Sequence, residues 1–169
     1  MAFLKDSLSA MFIYTLGDTI AAVIEGEFSY YRILGMILVS GTLYTLEIPR
    51  YFIWIDKVRP ATAHVSRKLQ RTLLAVAFFN PLWIARHLAF IQLSLGHWQA
   101  IQWHLLSIST LSFMVNLPGS LTINYLIQNR LALKWRFIAS SLFSAVLAVY
   151  YALSEVFFGD IDFMAIFTH

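Results

Sequence analysis

The sequence predicts an all-α fold: a polytopic membrane helical bundle of about five transmembrane helices. Three observations carry that expectation. First, 59% of the 169 residues are hydrophobic and only 12% are charged, against about 25% charged in a soluble domain. So few charges cannot cover a soluble surface, but they suffice for the loops of a membrane bundle. Second, the apolar residues gather into five stretches, each close to the roughly 20 residues that cross a hydrocarbon core. Third, strongly basic connections alternate with acidic or uncharged ones, as alternating sides of a membrane require.

The first stretch runs from Ser7 to Ile24. It holds Asp18 and lacks a small-residue cleavage site after it, so it reads as a retained span rather than a signal peptide. The second runs from Ile33 to Ile55, the third from Thr72 to Leu95, the fourth from Ala100 to Ile127 and the fifth from Phe137 to Phe158. None shows the alternation of a barrel strand. The connections are short, so residues 1–169 form a single transmembrane domain with no room for a second. The longest connection, Asp56 to Arg71, reads as an amphipathic or extended surface stretch.

Loop charges set an orientation. The connection after the first stretch carries Glu25, Glu27 and Arg32. Residues 56–71 carry Lys57, Arg59, Arg67, Lys68 and Arg71 against Asp56, and residues 128–136 carry Arg130, Lys134 and Arg136. These two basic loops belong on the inside, and the tail with Glu155, Asp160 and Asp162 belongs outside. Tyr30, Tyr31, Tyr51, Trp54, Trp98, Trp103 and Trp135 fall near the expected interfaces, where amphipathic rings settle.

A charge at membrane depth costs at least a few kcal/mol, so it faces the bundle interior and pairs. The ionisable set is Asp18, Glu47, Arg50, Arg86, His87 and His104, joined by Asn80, Asn116 and Asn124. Together they predict a polar cavity bounded by helices two, three and four, and so a path for a small solute. Interhelical pairs that hold the bundle together are the bland alternative. Glu47 and Arg50 stand three apart and can pair along one helix. Asp18 has no counter-ion within four residues, so its partner lies elsewhere. Pro49, Pro81 and Pro118 each remove a backbone hydrogen bond and predict helix breaks, whose freed carbonyls line cavities in many transporters. In the last stretch Ser140, Ser144, Ala148 and Ala152 repeat every four residues, a small-residue face for helix packing within the chain or in a homodimer.

Other chemistries find little support. There is no cysteine, hence no disulfide and no thiolate site. His64, His87, His97, His104 and His169 show no metal-ligand spacing, so no metal is expected. Phosphate loops, nucleophile elbows and H-E-x-x-H are absent. The expectation is a protein that is not an enzyme and needs no cofactor. Its partners are a lipid bilayer and a small-molecule or ion solute, not nucleic acid.

Several blocks resemble the Mpv-seventeen / twenty-two-kilodalton peroxisomal membrane protein family. Leu8-Ser9-Ala10 with Leu16-Gly17-Asp18 and Ile20 resembles the family's opening helix. Tyr51-Phe52 with Asp56-Lys57 and Pro60 resembles the end of its second helix, and Leu73-Leu74 with Phe79 and Pro81 resembles its third. Pro118 with Asn124-Tyr125, and Leu133 with Arg136, follow at similar spacing. The family's G-P, acid-glutamine and W-N pairs are missing, with Thr45-Leu46 and Ala75-Val76 at the first two places. The resemblance implies a channel-like protein of mitochondrial or peroxisomal membranes, with Asp18, Arg32, Asp56 and Asn124 as its polar positions. A second similarity is to bacterial alanine exporters. There Pro49 to Asp56 resembles a proline-aromatic turn, Asn80-Pro81 resembles S-P, and His97-Trp98 resembles a tryptophan before the last helix. That resemblance implies an amino-acid exporter of a bacterial inner membrane.

Overall fold

The computed structural model describes residues 2–61 and 63–158, with residue 2 and residues 151–158 as backbone only. The described chain is helical throughout and contains no strand. Helix α1 spans Ala2–Glu25, and α2 (Tyr30–Val39) and α3 (Thr45–Val58) follow. Helices α4 (Val65–Phe78), α5 (Pro81–Ser94), α6 (His104–Arg130) and α7 (Leu133–Phe158) complete the order. Four helical stretches are long and apolar enough to cross a membrane: Phe3–Glu25, Val65–Ser94, His104–Arg130 and Leu133–Tyr150.

The second apolar stretch is less regular than its hydropathy predicts. A π-helical turn, Ser40–Tyr44, joins α2 to α3 without a gap. Such turns shift the hydrogen-bond ladder by one residue and leave carbonyls to be satisfied by side chains. Here Ser40 Oγ donates to the Met36 carbonyl at 2.5 Å and Thr45 Oγ1 donates to the Ser40 carbonyl at 2.8 Å. Pro49 then lies inside α3, which continues past it.

The third stretch is two helices. Asn80 caps α5, its Oδ1 accepting from Trp83 N–H at 3.1 Å, and Pro81 takes the first helical position. Proline is favoured there because that N–H has no helical partner anyway. Pro81 therefore starts a helix instead of bending one. Pro118, also expected to break its helix, lies within an unbroken α6. Thr122 Oγ1 donates to the Pro118 carbonyl at 3.0 Å. The expected surface connection 56–71 shrinks to the turn around residues 59–64, because α4 begins at Val65.

Packing divides the helices into two groups. Helix α1 packs most extensively against α7, while α6 packs against both α4 and α5. The α2–α3 stretch touches both groups, and its inward face (Met36, Tyr44, Ile48, Phe52 and Ile55) is fully or nearly fully buried. The outward faces are apolar instead. Phe12, Leu111, Val115 and Val146 are each more than 60% exposed, a surface of the kind a bilayer covers.

Candidate functional site: a cavity between the two helix groups

Gly17 sets the approach of α1 to α7. A Cβ added there would stand 2.5 Å from Ala145 Cβ, so only a hydrogen side chain permits this spacing. The next residue, Asp18, is thereby held at the seam, 3% exposed. Its counter-ion comes from the following helix. Gly26, at φ 74°, ends α1 in the left-handed region that glycine adopts without a Cβ clash. Ser29 caps α2 by accepting from Tyr31 N–H at 3.3 Å. This turn brings Arg32 back over α1. Arg32 Nε and Nη2 donate to the two Asp18 oxygens at 3.0 and 2.9 Å. Nη1 donates to Glu25 at 3.1 Å and lies 3.6 Å from Glu27.

Behind this pair lies a cavity of about 170 Å³ between α1 and α7 on one side and α5 and α6 on the other. Asp18, Glu25 and Arg32 stand at its charged wall, while Trp83, Phe113 and Phe143 supply aromatic surface. Tyr44 Oη and His87 Nδ1 are hydrogen-bonded at 2.8 Å. The His87 ring lies parallel to Trp83 with centroids 6.0 Å apart, which orients the imidazole at the cavity edge. Asn116 and Asn124 reach the wall from α6, each with Nδ2 bonded one turn back, to the Ser112 and Ser120 carbonyls.

Of the residues singled out in the sequence, Asp18, His87, Asn116 and Asn124 meet at this cavity. Glu47, Arg50, Asn80, Arg86 and His104 lie elsewhere. Glu47 does not pair with Arg50. It accepts from Arg86 of α5 at 3.0 and 2.6 Å. Arg50 is exposed and among the described residues forms no ion pair. His104 is exposed at the start of α6, and Asn80 serves as a helix cap. The cavity is bounded by α1, α5, α6 and α7, not by the three proline-bearing helices. Ser140, Ser144 and Ala148 belong to its wall as well as to the packing of α7. The side chain of Ala152 and the acidic tail lie outside the described residues.

Several contributors were not among the expected cavity residues, Arg32, Tyr14 and Trp83 among them. Arg32 looked like a loop charge, although Ser29 ahead of Tyr30-Tyr31-Arg32 is a helix-start signal. Tyr14 and Trp83 looked like ordinary apolar bulk.

The opposite end of the bundle holds a second ionic cluster. Arg71, fully buried, donates through Nη2 to Asp56 at 2.5 Å and to the Gln128 carbonyl at 2.9 Å, and through Nη1 to the Arg59 carbonyl. Arg136 Nη1 donates to the same Asp56 oxygen at 2.7 Å. These charges, expected on surface loops, instead join α3, α4, α6 and α7. Burial acts to raise the Asp56 pKa. Hydrogen bonds from Arg136 and Arg71, with their charges, outweigh it and hold the carboxyl below its ordinary 3.8. Among the described residues no group of three or more His, Asp or Glu side chains is placed to hold a metal ion.

No protein-family model, curated protein or solved structure matches the chain.

Proposed function

We propose that this protein is a small integral membrane channel or carrier that moves a small solute through the cavity beside Asp18. The observation that carries the reading is the cavity itself: a largely apolar hollow with a charged wall at Asp18, Glu25 and Arg32, inside a bundle whose outer faces are apolar. Ionisable groups inside a membrane bundle are costly, face its interior and mark solute paths; so many polar groups together are hard to satisfy pairwise. In this reading the α2–α3 stretch is a fifth span beside the four apolar ones. The basic stretches 56–71 and 128–136 then face the inside of a bacterial inner, mitochondrial or peroxisomal membrane. Both family resemblances in the sequence support a small-solute membrane protein. In the alternative that the alanine-exporter resemblance offers, the solute is an amino acid and the membrane a bacterial inner membrane; a carrier of this size would act as a homodimer.

A non-transporting scaffold is the second reading. The observation favouring it is that Asp18, Glu47 and Asp56 each meet an arginine at hydrogen-bond distance, as structural pairs would. Solute efflux from proteoliposomes separates the two. Vesicles loaded with amino acids, small carboxylates and ions should leak a subset of these with wild type and far less with Asp18→Asn. Folded wild-type protein that passes none of them would leave the scaffold.

A further inference from the structure

Most cations of this chain collect at one end of the bundle. Gly17 stands against Ala145 across the α1–α7 seam, and Lys5 shares a groove with Leu133, so the two helices run the same way. The start of α1 therefore lies at the end that holds the Asp56 cluster, away from Arg32. That end carries Lys5, five cations in residues 56–71 and three in residues 128–136, against Asp6 and Asp56. Asp56 is already shared by Arg71 and Arg136. The groove, of about 380 Å³, lies between α3 and the first turns of α1 and α7. Its walls are largely apolar, with Phe52 and Ile53 from α3 and Ile138 from α7. Lys5, Asp6 and Lys134 supply its charge. Both lysines are exposed, and among the described residues neither forms an ion pair. Trp135 is half exposed beside them, its ring 5.9 Å from Lys134 Nζ. Such a ring settles at headgroup level in a bilayer.

We infer that this groove holds one anionic phospholipid, its phosphate between Lys5 and Lys134 and an acyl chain along Phe52, Ile53 and Ile138. A basic pocket between membrane helices, set in a surplus of positive charge, suits an acidic headgroup. The apolar walls select a lipid over a free phosphate, because only an acyl chain removes that surface from water. Asp6 shares the groove and repels the phosphate, so it holds the affinity down. The inference rests on the bundle's lying in a bilayer and is independent of solute passage through the cavity beside Asp18.

Phosphatidylglycerol, phosphatidylcholine with the same acyl chains, and glycerol phosphate are the probes. Each is titrated into the full chain in detergent at fixed ionic strength, and bound molecules are counted by native mass spectrometry. Wild type should hold one phosphatidylglycerol saturably, with the other two probes weaker by about tenfold or more. Lys5→Gln and Lys134→Gln alter exposed side chains and should each weaken phosphatidylglycerol about fivefold, the ratio that one cation gives at an acidic lipid. Asp6→Asn should tighten it several-fold. Arg67→Gln, exposed at the same basic end but outside the groove, should leave it unchanged. Phosphatidylcholine binding as well as phosphatidylglycerol would overturn the inference. So would a loss in Arg67→Gln equal to that in Lys134→Gln, which is what the charge of the bundle end alone would give. Glycerol phosphate binding as well as the lipid would also overturn it, leaving a phosphate site.

Discussion

The two ionic clusters use the same side chains in inverted proportion. Near the α1–α2 turn, one guanidinium is shared by three carboxylates. Where α3, α4, α6 and α7 meet, one carboxylate is shared by two guanidiniums. The first cluster borders the cavity, and its arginine meets Glu25 and Glu27 as well as Asp18. None of Asp56, Arg71 and Arg136 lines that cavity. Arg71 also donates to two backbone carbonyls, and Arg136 Nε donates to the Leu131 carbonyl at 3.1 Å. Each of its arginines is thus tied to backbone as well as to Asp56. The difference separates an ion pair at a cavity wall from one that fastens helix ends together.

That contrast breaks most visibly under neutralisation. Asp56→Asn leaves two buried guanidiniums sharing no carboxylate, and should cost about 3–5 kcal/mol, as for other broken buried pairs. Thermal or denaturant unfolding in detergent measures it, and a loss well under 1 kcal/mol would show that the cluster fastens nothing. Asp18→Asn should cost less, roughly 1–2 kcal/mol, because Arg32 keeps Glu25 and Glu27 and loses only part of its hydrogen bonding. Solute flux should nevertheless fall far more with Asp18→Asn than with Asp56→Asn, once both are compared as folded protein. Equal effects on stability and flux at the two sites would erase the distinction.

A smaller effect probes the broken third stretch. Asn80→Ala removes the cap of α5 and should cost about 1 kcal/mol, without selectively changing flux, since Asn80 lies away from the cavity. The smallest effect is the pH response of the fastening cluster. The Asp56 carboxyl has a lowered pKa when folded, so its stabilisation is complete above the ordinary value of 3.8 and disappears as pH falls through the lower folded value. Unfolding midpoints measured downward from about pH 5 should therefore decline more for wild type than for Asp56→Asn.

Much of the fold is legible in the sequence, because length and apolarity alone dictate helices in a bilayer-like environment. The ends of α1, α6 and α7 lie within a few residues of the expected ones. Proline reads less directly. The same residue starts α5 at position 81 and sits inside an unbroken helix at 118, and only the neighbouring Asn80 cap distinguishes the two. The cavity is half legible. A charge such as Asp18 announces itself by its cost, but its partner does not. Arg32 is fourteen residues away, and a tight glycine turn decides that it folds back over α1. Likewise Glu47 has an arginine three residues along, yet α5 places Arg86 where both carboxylate oxygens are met. Pairing across helices follows from packing, which no single-helix spacing encodes.

The central claim is that the hollow beside Asp18 is open to water and solute. The chain contains no cysteine, so single cysteines report without interference. Ser144→Cys places a thiol at the cavity wall, and Val146→Cys places one on the exposed apolar face of the same helix. In vesicles, a membrane-impermeant, water-soluble maleimide should label Ser144→Cys and leave Val146→Cys largely unreacted, and a transported solute should slow the labelling at Ser144. Reaction at Val146 with none at Ser144 would contradict the account, because it would put water on the face assigned to lipid and exclude it from the cavity.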